Sequence, residues 1–231
     1  MKNMNTIFSF LLMLVLLSSG SVVASTEVMT AESQKNMTPE QAIEKLKEGN
    51  NRFLSDKMLN RDYLDQVKKK ALAQYPFAAI ISCLDSRVPP EVVFDTNIGD
   101  LFVGRIAGNF VTTEMLGSLE FATAVAGAKL IVVLGHTECG AIKGICDDVS
   151  LGLLTATLAQ LKPSVDNVKA KFKGKTSKDS DFVDAVTMDN ITRTVHEIQH
   201  KSSVVNKLVA NNQLAIVGAR YNVETGAVEF L

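Results

Sequence analysis

The sequence lacks a strong excess of charge of either sign. Its 231 residues include 24 Lys and Arg against 25 Asp and Glu, which leaves a formal net charge of −1. No run of lysine or arginine in it is typical of a nucleic-acid-binding patch. We therefore expect no nucleic-acid partner. The length of the chain separately indicates one substantial domain or at most two small ones.

The N-terminal region lacks a hydrophobic run long enough to span a membrane. The run Ile7–Leu17 is apolar except for one serine, whereas a bilayer span needs about 20 apolar residues. A positively charged start precedes this run and small residues follow it, an order that is typical of a signal peptide cleaved near Ala24-Ser25. We therefore predict a signal peptide over residues 1–24. The mature protein is predicted to be periplasmic or secreted, with no stable membrane anchor.

Cysteine is scarce, and its number is odd. The chain has three cysteines, Cys83, Cys139 and Cys146. An oxidising compartment favours paired cysteines, but an odd number excludes complete pairing within the chain. A disulfide framework therefore explains these residues poorly, and a metal that is bound by thiolates explains them better.

Capping signals mark the beginning of the folded domain. Residues 25–37 are predicted to form a flexible mature N-terminus. Thr38 then has the side chain of a helix N-cap, with Pro39 at the first helical position and Gln41 closing a capping box. We expect one domain from residue 38 to residue 231.

Short apolar runs alternate with helical patterns along this domain. Strands are predicted at residues 76–83, 101–106, 129–136, 213–223 and 227–231. Helices are predicted at residues 38–53, 63–74, 114–127, 151–171 and 181–210. This alternation indicates an α/β fold with a mainly parallel, Rossmann-like sheet flanked by helices. An N-terminal helical arm and a C-terminal pair of strands complete the prediction.

Residues that bind metals follow two of the predicted strands directly. One strand runs into Cys83, Asp85 and Arg87, and the most apolar strand ends at His136, shortly before Cys139. Because ligand-binding groups collect at the carboxyl ends of strands in open parallel sheets, we expect these residues to meet. A Cys/His/Cys set leaves the fourth tetrahedral position of zinc to Asp85 or to a water. An open fourth position is typical of catalytic zinc sites.

Two motifs of the chain resemble those of the β-class carbonic anhydrases. They are CLDSR at residues 83–87 and HTECG at residues 136–140. The segment GDLFVGRIAGN at residues 99–109 is also similar to the central segment of that family. The resemblance covers the chain from about residue 38 to its end, and together with the predicted signal peptide it points to a bacterial, exported member.

The resemblance implies a zinc enzyme. In that family the two cysteines and the histidine of these motifs bind one Zn²⁺ per subunit, which here implies Cys83, His136 and Cys139. The resemblance also makes Asp85 and Arg87 a catalytic dyad. The implied reaction is the reversible hydration of CO2 to bicarbonate and a proton, by a zinc-bound hydroxide that Asp85 orients.

The resemblance further implies a substrate pocket and a partner subunit. Its positions correspond to Gln74, Phe102, Phe121 and the backbone N–H of Gly140, where Phe121 replaces a tyrosine that many relatives carry. Members of the family are built from dimers whose sites lie at the subunit interface. We therefore expect a homodimer or a dimer-based higher oligomer, with the helix at residues 38–53 wrapped around the partner.

A subgroup of the family holds bicarbonate at a second, regulatory site through a Trp, an Arg and a Tyr. Ile80 stands in the place of the tryptophan, since this chain has none. Arg105 and Tyr221 correspond to the other two residues. Because the set is incomplete, we expect them to serve packing or an interface instead.

Two alternative functions keep the same zinc site. One is hydrolysis of CS2 or COS, which access to the pocket would decide. The other is a non-enzymatic zinc-binding module, in which Asp85 would occupy the metal at every pH. The intact pair of Asp85 and Arg87 argues against that module. Both an open fourth position and one closed by Asp85 are compatible with the motifs.

The pattern H-E-x-x-H at residues 196–200 is found on zinc-binding helices of metalloproteases. Here the apolar residues of the helix fall within one arc, and His196 and His200 lie outside it. No third ligand follows on a nearby helix. We therefore interpret both histidines as residues of the polar face, and Cys146 as a free thiol on the helix after Cys139.

Overall fold

The computed structural model describes residues 28–231. The predicted signal peptide lies outside these described residues. Within them, none of the helices combines the length and the apolar character that a membrane span requires.

A five-stranded sheet with the order β2-β1-β3-β4-β5 forms the centre of the domain. The first four strands are parallel, and β5 pairs antiparallel with β4. Their bounds are β1 Ala78–Ser82, β2 Leu101–Arg105, β3 Leu130–His136, β4 Ala215–Tyr221 and β5 Val228–Phe230. The mainly parallel sheet and the C-terminal strand pair predicted from the sequence are thus confirmed.

Ten α-helices and one π-helix surround the sheet in the described part of the chain. They are α1 Ala31–Asn36, α2 Pro39–Leu54, α3 Tyr63–Lys70, α4 Pro90–Val93, α5 Thr113–Glu120, the π-helix Phe121–Val125, α6 Gly140–Cys146, α7 Gly152–Ala159, α8 Lys162–Lys169, α9 Ser180–Lys201 and α10 Ser203–Ala210. The capping box predicted for α2 is present, because the side chains of Thr38 and Gln41 each accept a hydrogen bond from the other's backbone N–H.

The sequence predicts a flexible segment over residues 25–37, but part of it is helical. Thr30 and Ser33 form a capping box at the start of α1. The buried side chain of Gln34 donates to the carbonyl oxygens of Pro76 at 2.6 Å and Ala126 at 2.8 Å. These contacts with distant segments hold α1 against the domain and explain the difference.

Both faces of the sheet are covered, and a third apolar cluster lies at its carboxyl end. Alternate residues of β1 point to opposite faces, so Ile80 packs in the cluster that includes residues of α2, and Ile81 packs in the cluster beneath α9 and α10. The third cluster contains Cys83 and Cys139, packed with side chains of α6 to α9. The two sulfurs therefore sit in an apolar environment at the end of the sheet.

Candidate metal centre

The two central strands and one helix start bring three metal-binding side chains together. Cys83 directly follows β1, His136 is the last residue of β3, and Cys139 is the N-cap of α6. Because β1 and β3 are parallel neighbours, their carboxyl ends lie side by side. The ligand atoms of the three residues lie within 4.8 Å of one another, and all three residues are buried.

The free nitrogen of His136 faces this cluster. Its Nδ1 lies 2.8 Å from the carbonyl oxygen of Thr137, which can only accept, so Nδ1 carries the proton. Nε2 then keeps a lone pair, and it is buried without a hydrogen-bond partner among the described residues. A buried acceptor without a partner is costly, and a metal ion at this point would satisfy it.

The two thiols have opposite pKa shifts. The hydrogen bond with Cys139 lowers the pKa of Cys83 to about 4, with help from His136 and the N–H of Gly108, although burial opposes the shift. The hydrogen bond with Cys83, together with burial, raises the pKa of Cys139. The protein alone thus favours one thiolate and resists the second. A divalent cation stabilises both, and two sulfurs with one imidazole form a donor set that suits zinc.

Asp85 and Arg87 form the predicted dyad beside this cluster. The backbone N–H and Nε of Arg87 both donate to Oδ1 of Asp85 at 2.9 Å, and Nη2 donates to Oδ2 at 2.7 Å. These hydrogen bonds lower the pKa of the Asp85 carboxyl to about 2, against the opposing effect of burial. Oδ2 lies 3.9 Å from Nε2 of His136. An ionised acceptor therefore lies next to the position that a metal would take.

Arg105 stabilises the loop that carries these residues. Its Nε donates to the carbonyl oxygen of Cys83 at 3.0 Å, and its Nη2 donates to that of Asp85. Tyr221 is buried, with 6% of its surface exposed. These contacts support the expectation that the two residues serve packing.

Three of the predicted substrate residues do not lie at the metal cluster of the same chain. Phe102 pairs with Ala79, which is four residues before Cys83. Phe102 and Cys83 are therefore about 13 Å apart along the strand direction. The rings of Phe102 and Phe121 are 6.1 Å apart and line a separate cavity of about 220 Å³. Gln74 is exposed and precedes the amino end of β1. Within one chain, these three residues therefore lie toward the amino end of the sheet, away from the metal cluster, and their place in a substrate pocket stays a prediction.

Gly140 occupies the first position of α6, immediately after Cys139. The N–H groups of the first helical turn have no partner within a helix, so this backbone donor stays compatible with its predicted contact to bicarbonate.

The remaining candidate ligands lie elsewhere. His196 and His200 are exposed on α9 with their rings stacked 3.7 Å apart, as expected for the polar face. In the part of the chain that the structure describes, the group of three residues placed to hold a metal is the one at Cys83.

Cys146 is a free, half-buried thiol. Burial, and then Asp147 and Asp148, raise its pKa to about 11.

Sequence reasoning missed one contact to the cluster. The backbone N–H of Gly108 donates to Sγ of Cys83 at 3.4 Å. Gly108 has a φ of +88°, and a Cβ there would lie 2.7 Å from Cδ1 of Leu161. In the sequence, this contact is indicated by nothing more than the presence of Gly108 in the segment at residues 99–109.

Comparison with known proteins agrees with this site. The family model for carbonic anhydrase matches residues 78–228. Carbonic anhydrase 2 of Mycobacterium tuberculosis is 34% identical over 192 residues, which cover 83% of this chain and 92% of the relative. The carbonic anhydrase of Mycolicibacterium smegmatis is 34% identical over 200 residues, which cover 84% of this chain and 94% of that protein.

A solved structure extends the likeness to the fold. The β-carbonic anhydrase of Coccomyxa in complex with acetazolamide superposes with a TM-score of 0.66 and 29% identity, over 78% of this chain and 82% of that one. The fold and the site define an α/β metalloprotein with a zinc centre at the end of a parallel sheet. The chain belongs to the carbonic anhydrase family, and the resemblance to its β class is confirmed.

Proposed function

We propose that the protein catalyses the zinc-dependent, reversible hydration of CO2 to bicarbonate and a proton. The observation that carries this proposal is the placement of the Asp85 carboxylate beside a buried Cys/His/Cys cluster. The names of the relatives support it, since those reported above are carbonic anhydrases.

The chain supplies three things to this reaction. Cys83, His136 and Cys139 would hold the zinc, which when bound lowers the pKa of a water to around neutrality. Asp85 is ionised and accepts hydrogen bonds, so it orients an O–H group at the adjacent position with an oxygen lone pair toward the CO2 carbon. Arg87 holds both oxygens of that carboxylate and therefore fixes its direction.

The test is direct. Mature protein should contain one zinc per subunit and hydrate CO2 at alkaline pH. Zinc-free protein, or zinc-loaded protein without CO2 hydration, would contradict the proposal. Turnover of CS2 on the same preparation separates the alternative substrate, and activity on CS2 alone would favour a hydrolase.

We propose further that the active unit is a homodimer or an assembly of dimers. Gln74, Phe102 and Phe121 do not approach the metal cluster of their own chain, and Phe121 is 50% exposed. A second copy that presents this surface to the cluster would complete the pocket. This arrangement agrees with what the family resemblance implies.

Subunit mixing tests the shared pocket. Cys83→Ala removes a metal ligand, and Phe102→Ala removes a pocket wall, so each pure variant should lose activity. A mixed dimer has one chain with an intact cluster facing an intact Phe102 of the other chain. We expect co-expression of the two variants to restore part of the activity, and no restoration would place Phe102 outside the partner's site.

We also propose that the chain is exported, since residues 1–24 have the composition of a signal peptide. Mass spectrometry of the expressed protein in the original host should find an N-terminus at or near Ser25 in the periplasm or the medium. Protein that retains Met1 in the cytoplasm would contradict export.

A further inference from the structure

A hydrogen-bonded path joins helix α9 to the sulfur of Cys83. Asn190 lies on α9 with 1% of its surface exposed. Its Nδ2 donates to the carbonyl oxygen of Gly108 at 2.8 Å. The N–H of the same glycine donates to Sγ of Cys83 at 3.4 Å. A single residue, Gly108, therefore connects the buried amide of Asn190 to a metal ligand.

The orientation of the Asn190 amide is fixed from its other side. Nη2 of Arg193 donates to Oδ1 of Asn190 at 3.1 Å. Because a guanidinium only donates, the amide oxygen must face Arg193, and the NH2 group must face Gly108. Arg193 is itself held by the carbonyl oxygen of Gln160 at 2.7 Å and by Oγ of Ser164 at 3.1 Å.

Gly108 needs such an anchor. Its φ of +88° is a conformation that glycine adopts freely and other residues rarely adopt. Glycine also has the greatest backbone freedom, so nothing in its own side chain holds the N–H toward the sulfur. The hydrogen bond from Asn190 to its carbonyl oxygen supplies the restraint, and the packing of Leu161 against the glycine leaves no room for a Cβ.

We propose that Asn190 is a positioning residue for the metal centre, which fixes Gly108 so that its N–H draws electron density from the Cys83 sulfur. The inference rests on the proposed zinc-dependent function. Two thiolates donate more charge to zinc than two imidazoles do, and partners of metal ligands tune that donation. The N–H bond to Cys83 limits the donation and so preserves the acidity that hydration of CO2 requires.

Two isosteric changes test this role. Asn190→Asp keeps the acceptor that faces Arg193 and removes the donor that faces Gly108, while Asn190→Leu removes both. Thr194→Val is the matched control, since Thr194 is one turn further along α9, is 1% exposed and has a hydroxyl without a partner among the described residues. Arg193→Gln, at a partly exposed position, frees the amide of Asn190 without placing a change in the core.

The measurements are the thiolate-to-metal charge-transfer band of the cobalt-substituted protein and the rate of zinc release to a chelator. Loss of the N–H bond makes the sulfur a stronger donor, so the band should move to longer wavelength in both Asn190 variants and, to a smaller extent, in Arg193→Gln. Because a stronger sulfur donor holds the metal more tightly, zinc release should slow in the Asn190 variants by about tenfold, the order of magnitude that partners of metal ligands contribute. Thr194→Val should change neither quantity.

A purely structural role predicts a different result. The Asn190 variants would then have a lower melting temperature, but the same band and zinc release rate as Thr194→Val, and this outcome would overturn the proposal. If Asn190→Leu fails to fold, an unmoved band in both Asn190→Asp and Arg193→Gln would overturn it equally. Wild-type protein that takes up no cobalt or zinc would reject the proposed function and this inference with it. An active, metal-loaded wild type with unmoved variants rejects this inference alone.

Discussion

At the scale of single residues, the direction of one carboxylate depends on one arginine. Three donors of Arg87 contact the two oxygens of Asp85, and Nη2 also contacts the carbonyl oxygen of Glu138 at 3.3 Å. The side chain of Arg87 is half exposed. Its removal therefore creates no large cavity, and its effect on catalysis can be separated from its effect on folding.

We expect the Arg87→Ala variant to keep its zinc and lose its activity. The three ligands remain, so metal analysis should still find one zinc per subunit. Asp85 loses its charge partner and its direction, and a positioned acid or base group contributes about 10²–10⁴-fold to a rate. CO2 hydration should fall by that factor, while the control Arg220→Ala, at a surface pair with Asp184, should remain active. Near-normal activity of Arg87→Ala would reject the role of the dyad.

Asp95 connects two arginines and gives a pH-dependent contribution to stability. Its side chain is fully buried and paired with Arg52 and Arg61. Burial opposes its ionisation, but hydrogen bonds from Arg61 and Arg52 outweigh burial and lower its pKa. The folded pKa is thus below the unfolded value of about 3.9. The contribution is therefore complete above that value and is lost as the pH falls through the lowered folded pKa.

We expect Asp95→Asn to destabilise the protein at neutral pH by about 3 kcal/mol, since Arg61 loses its buried partner. Urea unfolding at pH 7 and at pH 3 measures the effect. The difference from wild type should shrink at pH 3, because protonation removes the same charge from the wild-type protein. An equal difference at both pH values would contradict the assignment.

The zinc ligands could be predicted from the sequence because each belongs to a short motif at a strand end. The apolar run before Cys83 and the one that ends at His136 locate two neighbouring strands, and parallel pairing brings their ends together. The contact of Asn190 with Gly108 joins residues 82 apart in the chain. No local pattern indicates it, because it depends on how α9 packs.

At the scale of elements, a proline and a tertiary contact each divide a helix that the sequence predicts as continuous. Residues 151–171 are interrupted at Leu161, since Pro163 lacks the N–H that would continue the preceding helix. Residues 181–210 are interrupted at Ser202, which is extended, with φ −110° and ψ 107°. Its hydroxyl donates to Oε1 of Glu120 at 2.6 Å and accepts from the N–H of Val205. Proline is visible in the sequence, whereas the contact with Glu120 is not.

We expect Ser202→Ala to destabilise the protein by about 1–2 kcal/mol, because it removes a helix cap and leaves Glu120 without its partner. Ser203→Ala is the matched control, since Ser203 is exposed and its replacement should change stability by less than about 0.5 kcal/mol. Urea unfolding of both variants measures the difference. Equal stabilities would mean that the break between α9 and α10 does not depend on this hydroxyl.

At the scale of the whole molecule, the metal should stabilise the fold. Zinc that binds the folded protein and is present at 100 times its dissociation constant contributes about 2.7 kcal/mol, which corresponds to a rise of about 5–10 °C in melting temperature for a domain of this size. Calorimetry with and without a chelator tests this. Cys146→Ser should retain the shift and Cys139→Ser should lose it. A shift that persists in Cys139→Ser would place the zinc elsewhere.

The sequence of one chain does not indicate which metal cluster its predicted pocket residues would contact. The resemblance to the family assigns Gln74, Phe102 and Phe121 to the pocket, but the sheet places them away from the carboxyl end that carries the metal cluster. In the proposed dimer, the contact of these residues with a metal cluster depends on how two chains associate, and such an association leaves no pattern in the spacing of residues along one chain.

The distance along the chain between the two sulfur ligands determines when the protein can bind its metal. Cys83 and Cys139 are 56 residues apart, and they meet only after β1 and β3 have paired. A newly made chain offers a metal at most the nearby His136 and Cys139, which is a weak, incomplete pair. The polypeptide therefore has to fold before it can be loaded, so the ion must be supplied where the folded protein is already present.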